Sequence, residues 1–186
     1  MEFVAGQSYL LQADSGKGKS SLFAYIYGYR DDFEGEILFD GRRTPPVGSP
    51  EWDTIRQSRI GILFQDLKIF PELTAIENIE LKNLLQAYKS EAEIDDMLRR
   101  LEISDKSRQP CGKLSWGQQQ RVAIIRALCQ PFDFLLLDEP ISHIDDRMAR
   151  IVAELIAEEV ASRQAAVVVS SIGKELPMTY DNILNL

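Results

Sequence analysis

The stretch Phe134-Leu135-Leu136-Leu137-Asp138-Glu139-Pro140 indicates the fold class of this chain of 186 residues. Its run of four apolar residues is typical of a strand covered on both faces, as in a parallel sheet. Ligands of open α/β sheets bind at the carboxyl ends of the strands, where Asp138 and Glu139 stand. One carboxylate there can hold a metal while the other holds a water molecule, and that pairing suits phosphoryl transfer.

A matching phosphate cradle is predicted near the N-terminus. The loop Ala13-Asp14-Ser15-Gly16-Lys17-Gly18-Lys19-Ser20 follows the apolar segment Tyr9-Leu10-Leu11 and precedes a helical pattern from Ser21 to Tyr27. Strand, small-residue loop and helix form the context of a P-loop, whose backbone N–H groups wrap phosphates. In such a loop Lys19 reaches the β- and γ-phosphates and Ser20 ligates Mg²⁺. An ordinary Gly/Lys-rich turn is the alternative, and the two downstream carboxylates weigh against it.

Composition narrows the function classes. The apolar share of 45% is ordinary for a globular domain, and no run approaches the roughly 18 apolar residues of a membrane span. A formal charge of −8 argues against a broad nucleic-acid surface. Cys111 and Cys129 show neither metal-type nor redox-type spacing, so we expect two buried thiols in a reducing cytosol.

Periodicity outlines the other elements. Strands are predicted at Glu36-Ile37-Leu38-Phe39, with a turn at Asp40-Gly41, and at Ile60 to Phe64 and Ala165 to Val169. The region from Thr74 to about Leu101 is predicted to be helical. Two apolar repeats with i, i+3, i+4, i+7 spacing support this prediction: Leu81, Leu84, Leu85 and Tyr88, then Ile94, Met97, Leu98 and Leu101.

Two further helices have predicted N-caps. Ser115 is a good N-cap for a helix from Gly117 to Leu128. Asp145 and Asp146 open another helix. The apolar positions of that helix predict a buried face made of Met148, Ile151, Val152, Leu155 and Ile156.

The order of these motifs resembles the ATP-binding subunits of ABC transporters. After the P-loop come Gln65, then Leu114-Ser115-Trp116-Gly117-Gln118-Gln119-Gln120-Arg121, which is similar to the ABC signature, then the carboxylate pair. The resemblance extends from about Phe3 to Leu186, and residues 60–65 and 70–78 look most like the lipoprotein-release and macrolide-export branch. It implies an α/β P-loop NTPase core, with a mostly parallel sheet flanked by helices. Residues 1–186 form one domain, with a helical subdomain inserted at about 72–130.

The resemblance also implies an ATP-hydrolysing subunit that takes ATP and Mg²⁺ as cofactors. Nucleotide-binding residues carried over from the family are Ala13, Asp14, Ser15, Gly16, Lys17, Gly18, Lys19, Ser20 and Ser21, together with Ser115, Gly117 and Gln118 acting across a dimer. The metal is assigned to Ser20, Gln65 and Asp138. The catalytic residues are Glu139 as general base, Gln65 as the switch residue and Ser171 as a hydrogen-bond donor.

The partners implied are a membrane permease and a second copy or related ATPase subunit on ATP binding, with no nucleic acid. Residues 70–73 are expected to face the permease, which places the chain in the cytoplasm on the inner face of the membrane. The permease chooses the substrate, so the sequence leaves the cargo open. A degenerate ATP-binding module with little hydrolysis is one alternative, and a non-transport ABC protein in DNA maintenance or translation is another.

Departures from the family pattern support the first alternative. Trp116 stands where the signature has its first glycine, and Ser171 stands where the family has a histidine that contacts the γ-phosphate. His143, the single histidine, lies in the D-loop where the family usually has a small residue, and we expect a surface or interface role for it. The usual N-terminal strand with its adenine-stacking aromatic residue is not seen, and residues 180–186, which look like the family's terminal strand, end at once. Truncation at both ends is therefore expected, with a misplaced start as the alternative.

Overall fold

The computed structural model describes residues 1–12, 16 and 18–186. Its strands there are β1 (Ser8–Gln12), β2 (Leu38–Phe39), β3 (Arg42–Arg43), β4 (Ile60–Leu63), β5 (Phe134–Asp138), β6 (Ala166–Ser171) and β7 (Asn182–Asn185). The α-helices are α1 (Lys19–Ile26), α2 (Glu51–Ser58), α3 (Ala75–Asn83), α4 (Glu91–Arg100), α5 (Trp116–Leu128) and α6 (Asp146–Arg163). Two short 3₁₀ helices, Ser104–Lys106 and Cys111–Lys113, precede α5.

Within the described residues a five-stranded parallel sheet has the order β4-β5-β6-β1-β7, and β2 and β3 form a separate antiparallel hairpin. Successive side chains of a strand point to opposite faces of the sheet. Leu135 and Leu137 accordingly join the core formed with α3 to α6, while Leu136 joins the core formed with α1. Both faces are covered, which explains the unbroken apolar run of β5. The predicted α/β fold with a mostly parallel sheet is confirmed.

The helices α3, α4 and α5 lie in the chain between β4 and β5, which are neighbours in the sheet. The last of them, α5, packs against α3, α4 and β4, and so connects this helical segment to the sheet. Ser115 caps α5 as predicted, and Asp145 caps α6 by accepting a hydrogen bond from the Met148 backbone N–H at 2.9 Å.

The region from Thr74 to about Leu101, predicted to be helical, consists of two helices, α3 and α4, with a turn between them. The chain turns after Asn83, Ala87 adopts a φ of +47°, and a new helix begins behind Ser90. Both helices carry capping boxes: the Thr74 and Ser90 side chains each accept from the backbone N–H three residues on. These caps mark two separate helix starts, which the apolar spacing alone does not show.

The leucines of the first apolar repeat do not join the core. Leu81, Leu84 and Leu85 are exposed, because the inward positions of α3 are occupied by Ala75, Asn78, Ile79 and Asn83. The two buried asparagines are satisfied locally: Asn78 donates to the Phe70 carbonyl at 2.9 Å, and Asn83 accepts from the Lys89 N–H at 2.7 Å. The second repeat is buried in full.

Two smaller findings complete the fold. Both cysteines are free and buried, as predicted. The helix α2 was not anticipated; its Trp52 is buried, and the indole N–H donates to the Pro45 carbonyl at 3.0 Å. Among the residues that the structure describes, no helix combines the length and apolarity that a membrane crossing needs.

Candidate nucleotide-binding site

The carboxyl ends of four neighbouring strands bring the predicted site residues to one edge of the sheet. Gln12, at the end of β1, pairs in register with Ser171 of β6, and Asp138 of β5 pairs with Ser170. Gln65 follows β4, whose register with β5 is also parallel. A parallel sheet places all these ends on the same side, which is where ligands of open α/β folds bind.

The phosphate cradle is described in part. Gly18 precedes α1 with a φ of +94°, a conformation that glycine adopts without strain. Among the described residues no side chain caps this helix, and its first turn contains no acidic residue. Its N–H groups therefore suit an anion. Lys19, only 5% exposed, is the first helical residue.

The predictions for Ala13, Asp14, Ser15 and Lys17 lie outside the described residues. Gly16 is described, with a φ of +80°, and a Cβ built on it or on Gly18 would meet nothing within 4 Å. The Ser21 hydroxyl accepts a hydrogen bond from Arg30 at 3.2 Å.

The three predicted metal ligands are oxygen-bearing side chains at this edge. The Ser20 hydroxyl donates to the Gln65 side-chain oxygen at 3.5 Å, and the buried Asp138 accepts from the hydroxyl of Ser170. Within the described ranges no cluster of three or more His, Cys, Asp or Glu side chains could hold a metal alone. Mg²⁺ commonly binds one or two protein oxygens together with phosphates and water, so Ser20, Gln65 and Asp138 fit that ion.

Glu139 is held in a sparsely populated backbone conformation, with a φ of +51°. Burial and the neighbouring Asp138 raise the pKa of the Glu139 carboxyl, whereas the charges of Lys19 and His143 act in the opposite direction. A general base works best when its pKa lies near the operating pH, so the raised pKa suits a carboxylate that takes a proton from water.

The N-terminus of α5 is closed by a reciprocal pair of hydrogen bonds. The Ser115 hydroxyl accepts from the Gln118 N–H at 3.3 Å, and the Gln118 side-chain oxygen accepts from the Ser115 N–H at 2.9 Å. A Cβ built on Gly117 would lie 2.6 Å from the His143 carbonyl oxygen. Only glycine therefore permits this approach of α5 to the loop that follows Glu139.

Sequence reasoning missed Gln120, which joins the signature helix to the catalytic loop. Its side chain is 1% exposed and donates to the Glu139 carbonyl at 3.0 Å and to the Ser142 hydroxyl at 3.3 Å. Its amide oxygen accepts from the His143 N–H at 3.2 Å. The available signal was a polar residue in a helix whose other buried residues are apolar.

Trp116 and His143 contact each other directly. Their ring centroids lie 5.6 Å apart in an edge-to-face arrangement, and the indole remains 45% exposed. The Nδ1 atom of His143 lies 2.9 Å from the Ser142 hydroxyl. The two residues that break the family pattern at the signature and the D-loop are therefore packed as a pair.

The structure places Ser171 at the expected strand end, but its hydroxyl is engaged. This buried hydroxyl donates to the Lys174 carbonyl at 2.8 Å. Lys174 in turn donates to the Ile144 carbonyl at 2.5 Å and pairs with Asp146 at 3.0 Å. The turn after β6 is thus tied to the D-loop through Lys174, a connection that the sequence did not predict. A role for Ser171 at a phosphate stays a prediction.

Comparison with known proteins places this geometry in context. Residues 1–142 match the family model described as ABC transporter. The chain is 32% identical over 185 residues to the lipoprotein-releasing system ATP-binding protein LolD 2 of Rhodopseudomonas palustris, covering 98% of this chain and 80% of that protein. It is also 32% identical over 194 residues to the ABC transporter ATP-binding protein YtrE of Bacillus subtilis, covering 99% and 84%.

A solved structure agrees in fold. The dimeric post-hydrolysis state of the ATP-binding cassette MJ0796, bound to ADP and Pi, superposes with a TM-score of 0.82 at 29% identity. The match covers 92% of this chain and 77% of that one.

Proposed function

The chain belongs to the ABC transporter family as an ATP-binding, ATP-hydrolysing subunit, and from that premise we propose that its sheet edge binds Mg-ATP and hydrolyses it within a closed dimer. One observation carries this proposal: the uncapped N-terminus of α1, the Ser20–Gln65 contact and the Asp138–Glu139 pair converge on the carboxyl ends of the strands. No single one of these features makes a site, and together they supply phosphate, metal and water positions.

Each part of the edge has its own task. The P-loop, Ala13 to Ser21, holds the phosphates, with Lys19 facing the β- and γ-phosphates. Ser20, Gln65 and Asp138 hold Mg²⁺, which when bound neutralises phosphate charge. Ser170 fixes the Asp138 carboxylate by donating a hydrogen bond to it.

Hydrolysis needs a water molecule in line with the bond that breaks. Glu139 orients that water and accepts its proton as the water oxygen bonds to the γ-phosphorus. The bond from the γ-phosphorus to the bridging oxygen breaks, and its electron pair leaves with ADP. The raised pKa of Glu139 makes this proton transfer easier near neutral pH.

The second subunit completes the site. Ser115, Gly117 and Gln118 lie at the start of α5 and face the phosphate held by the P-loop of the other copy, because a helix N-terminus favours negative charge. The capping box engages the N–H groups of Ser115 and Gln118, so the Gly117 N–H and the Ser115 hydroxyl proton are the donors to that phosphate. A two-fold arrangement then encloses two nucleotides with the same surface from each chain. MJ0796, which is dimeric with ADP and Pi, supports this arrangement.

The permease would contact exposed apolar side chains before α3 and around its end. Phe70 before the helix, and Leu81, Leu84 and Leu85 around its end, are all exposed, although apolar side chains of this size are commonly buried. A permease segment seated on them would hold the chain at the inner, cytoplasmic face of the membrane and transmit closure of the dimer to transport. Residues 1–186 are proposed as one ATP-binding domain with the helical subdomain at about 72–130 inserted.

Two variants test the proposal. Lys19→Ala removes the cation that faces the phosphates, so the thermal shift produced by Mg-ATP should vanish, while the matched control Lys106→Ala keeps it. Glu139→Gln should bind ATP as the parent does but lose about 10²- to 10⁴-fold in kcat. An ATP-bound dimer should then accumulate on size-exclusion chromatography.

The matched carboxylate control is Glu36→Gln, which alters an exposed residue of the hairpin region. It should hydrolyse ATP at the parental rate. A parent that shows no thermal shift with Mg-ATP, or a Glu139→Gln variant with unchanged kcat, would contradict the proposal. Omission of Mg²⁺ by chelation should abolish hydrolysis by the parent.

A further inference from the structure

The loop that follows Glu139 carries the single histidine of the sequence, His143. His143 and Trp116 each replace a small residue of the family pattern, and their rings are in contact at 5.6 Å between centroids. Either replacement alone would be an isolated departure from the family pattern. Their contact means that the two departures occur in one structural unit, next to the start of the signature helix.

The position expected to supply a phosphate donor after β6 is already engaged. Ser171 carries one hydroxyl proton, and that proton is donated to the Lys174 carbonyl at 2.8 Å. Ser171 is also buried, which holds its hydroxyl in this bond. A further side-chain donor to the γ-phosphate would therefore come from another group.

His143 meets the geometric requirements for that donor. Its Nδ1 atom lies 2.9 Å from the Ser142 hydroxyl, and among the contacts of the described residues its Nε2 atom has no partner. Its backbone carbonyl lies against Gly117, which places the residue beside the helix N-terminus that faces the partner's nucleotide. Its backbone N–H and the Glu139 carbonyl both bond to the Gln120 side chain, which ties the His143 loop to Glu139.

We propose that the imidazole of His143, rather than the hydroxyl of Ser171, is the side-chain donor to the γ-phosphate in the closed dimer, and that Trp116 is a positioning residue for this imidazole. The inference rests on the ATP-hydrolysing dimer proposed above. In it, Nε2–H donates a hydrogen bond to a terminal oxygen of the nucleotide seated at the N-terminus of α5. Ser142 holds Nδ1, and the edge-to-face indole restricts rotation of the ring.

The energetic role of such a donor is to stabilise charge that develops as the phosphoryl group is transferred. Loss of one preorganised donor typically costs about 10²- to 10³-fold in kcat. His143→Ala should therefore lower kcat by about 10²-fold. The KM for ATP should change little, because the P-loop supplies most of the binding.

Moving the imidazole tests whether chemistry or loop shape matters. On this proposal, the closed dimer would bring Ser171 of one chain and the His143 position of the other to the same phosphate. Ser171→His added to His143→Ala should therefore restore most of the lost kcat. A merely structural role for His143 would not produce this rescue, because Ser171→His supplies an imidazole without restoring the contacts that His143 makes in the D-loop.

The positioning role of Trp116 is tested by a double-mutant cycle. Trp116→Gly should lower kcat with little change in KM, and Trp116→Phe, which keeps an aromatic edge, should retain most of the activity. If Trp116 acts through the imidazole, Trp116→Gly should cost little more in the His143→Ala background. Additive losses would overturn the positioning role.

Failure of this inference can be distinguished from failure of the proposed function. The parent must bind and hydrolyse Mg-ATP, and His143→Ala must keep the parental thermal shift with ATP. If these conditions hold and His143→Ala retains the parental kcat, the inference is overturned while the hydrolase assignment stands. A larger loss in Ser171→Ala than in His143→Ala would also overturn it and return the donor role to Ser171.

Discussion

Two stretches of the helical segment have the same apolar spacing, but one is buried and the other is exposed. In α4 and just beyond it, Ile94, Met97, Leu98 and Leu101 are buried. Around the end of α3, Leu81, Leu84 and Leu85 are exposed, with Leu84 at 73%. The spacing predicts an apolar face in both cases, but it does not say what covers that face.

The difference lies in which residues face inwards. The buried face of α3 contains two asparagines, whose amides serve the loops before and after the helix. Because the inward face of α3 makes these polar contacts, Leu81, Leu84 and Leu85 lie at the surface, where a partner can cover them. An apolar repeat that the chain's own core does not cover is therefore informative about assembly rather than about folding.

The largest expected effect is a difference in the free energy of unfolding between a variant in the buried repeat and a variant in the exposed repeat. Leu98→Ala removes a fully buried side chain and should lower the free energy of unfolding by about 2–5 kcal/mol. Leu84→Ala removes an exposed one and should change it by about 0.5 kcal/mol or less. Urea unfolding of both variants makes the comparison, and similar losses in the two would show that α3 buries its leucines in solution.

A smaller effect concerns Lys82, which follows Leu81 of the exposed repeat in the sequence. Burial, together with the charges of Arg126 and Arg56, lowers the pKa of Lys82 from 10.5 to about 8. The unfolded chain then binds more protons than the native protein between these values, so this residue makes stability rise as pH rises from 8 to 10.5.

Lys82→Met should remove that rise and increase the free energy of unfolding at pH 7 by roughly 3 kcal/mol or less. Urea titrations at pH 7 and pH 10 on the parent and the variant measure the difference. The exposed Lys113→Met is the matched control and should leave the pH dependence of the parent in place. A parallel dependence in parent and Lys82→Met would contradict the lowered pKa.

The smallest effect should be equal in the two helices. Thr74→Ala and Ser90→Ala each remove one capping box, and each should cost about 1 kcal/mol, whichever way the apolar face of the helix points. Thermal unfolding of the two variants tests this. A much larger loss at one cap would mean that the two helices differ in how they are held, and not only in what covers them.

The sequence predicted those parts of the molecule whose determinants are local or repetitive. The apolar run before Asp138 identified a strand covered on both faces, and Ser115 identified the start of α5. The apolar spacing did not separate α3 from α4, because the turn around Ala87 depends on Asn83 bonding to the chain that follows it.

The site was predicted as a set of positions rather than as a set of contacts. Strand register explains why Gln65 and Asp138 meet at one edge. Nothing in the order of residues shows that Ser171 donates to Lys174, or that Trp116 lies against His143, because these pairs depend on how separate loops pack. Motif resemblance supplied the roles, and only tertiary geometry supplies the hydrogen-bond partners.

The buried amide of Gln120 has a consequence for the timing of the catalytic cycle. One side chain bonds both to the Glu139 carbonyl and to the His143 N–H, and it is carried by α5, the helix that we propose to face the other copy's nucleotide. If α5 moves, Glu139 must move with it or lose this hydrogen bond. In the proposed dimer, a subunit whose α5 has left the partner's phosphate would therefore also have displaced its own general base. Separation of the dimer would then also stop hydrolysis of the ATP that remains bound.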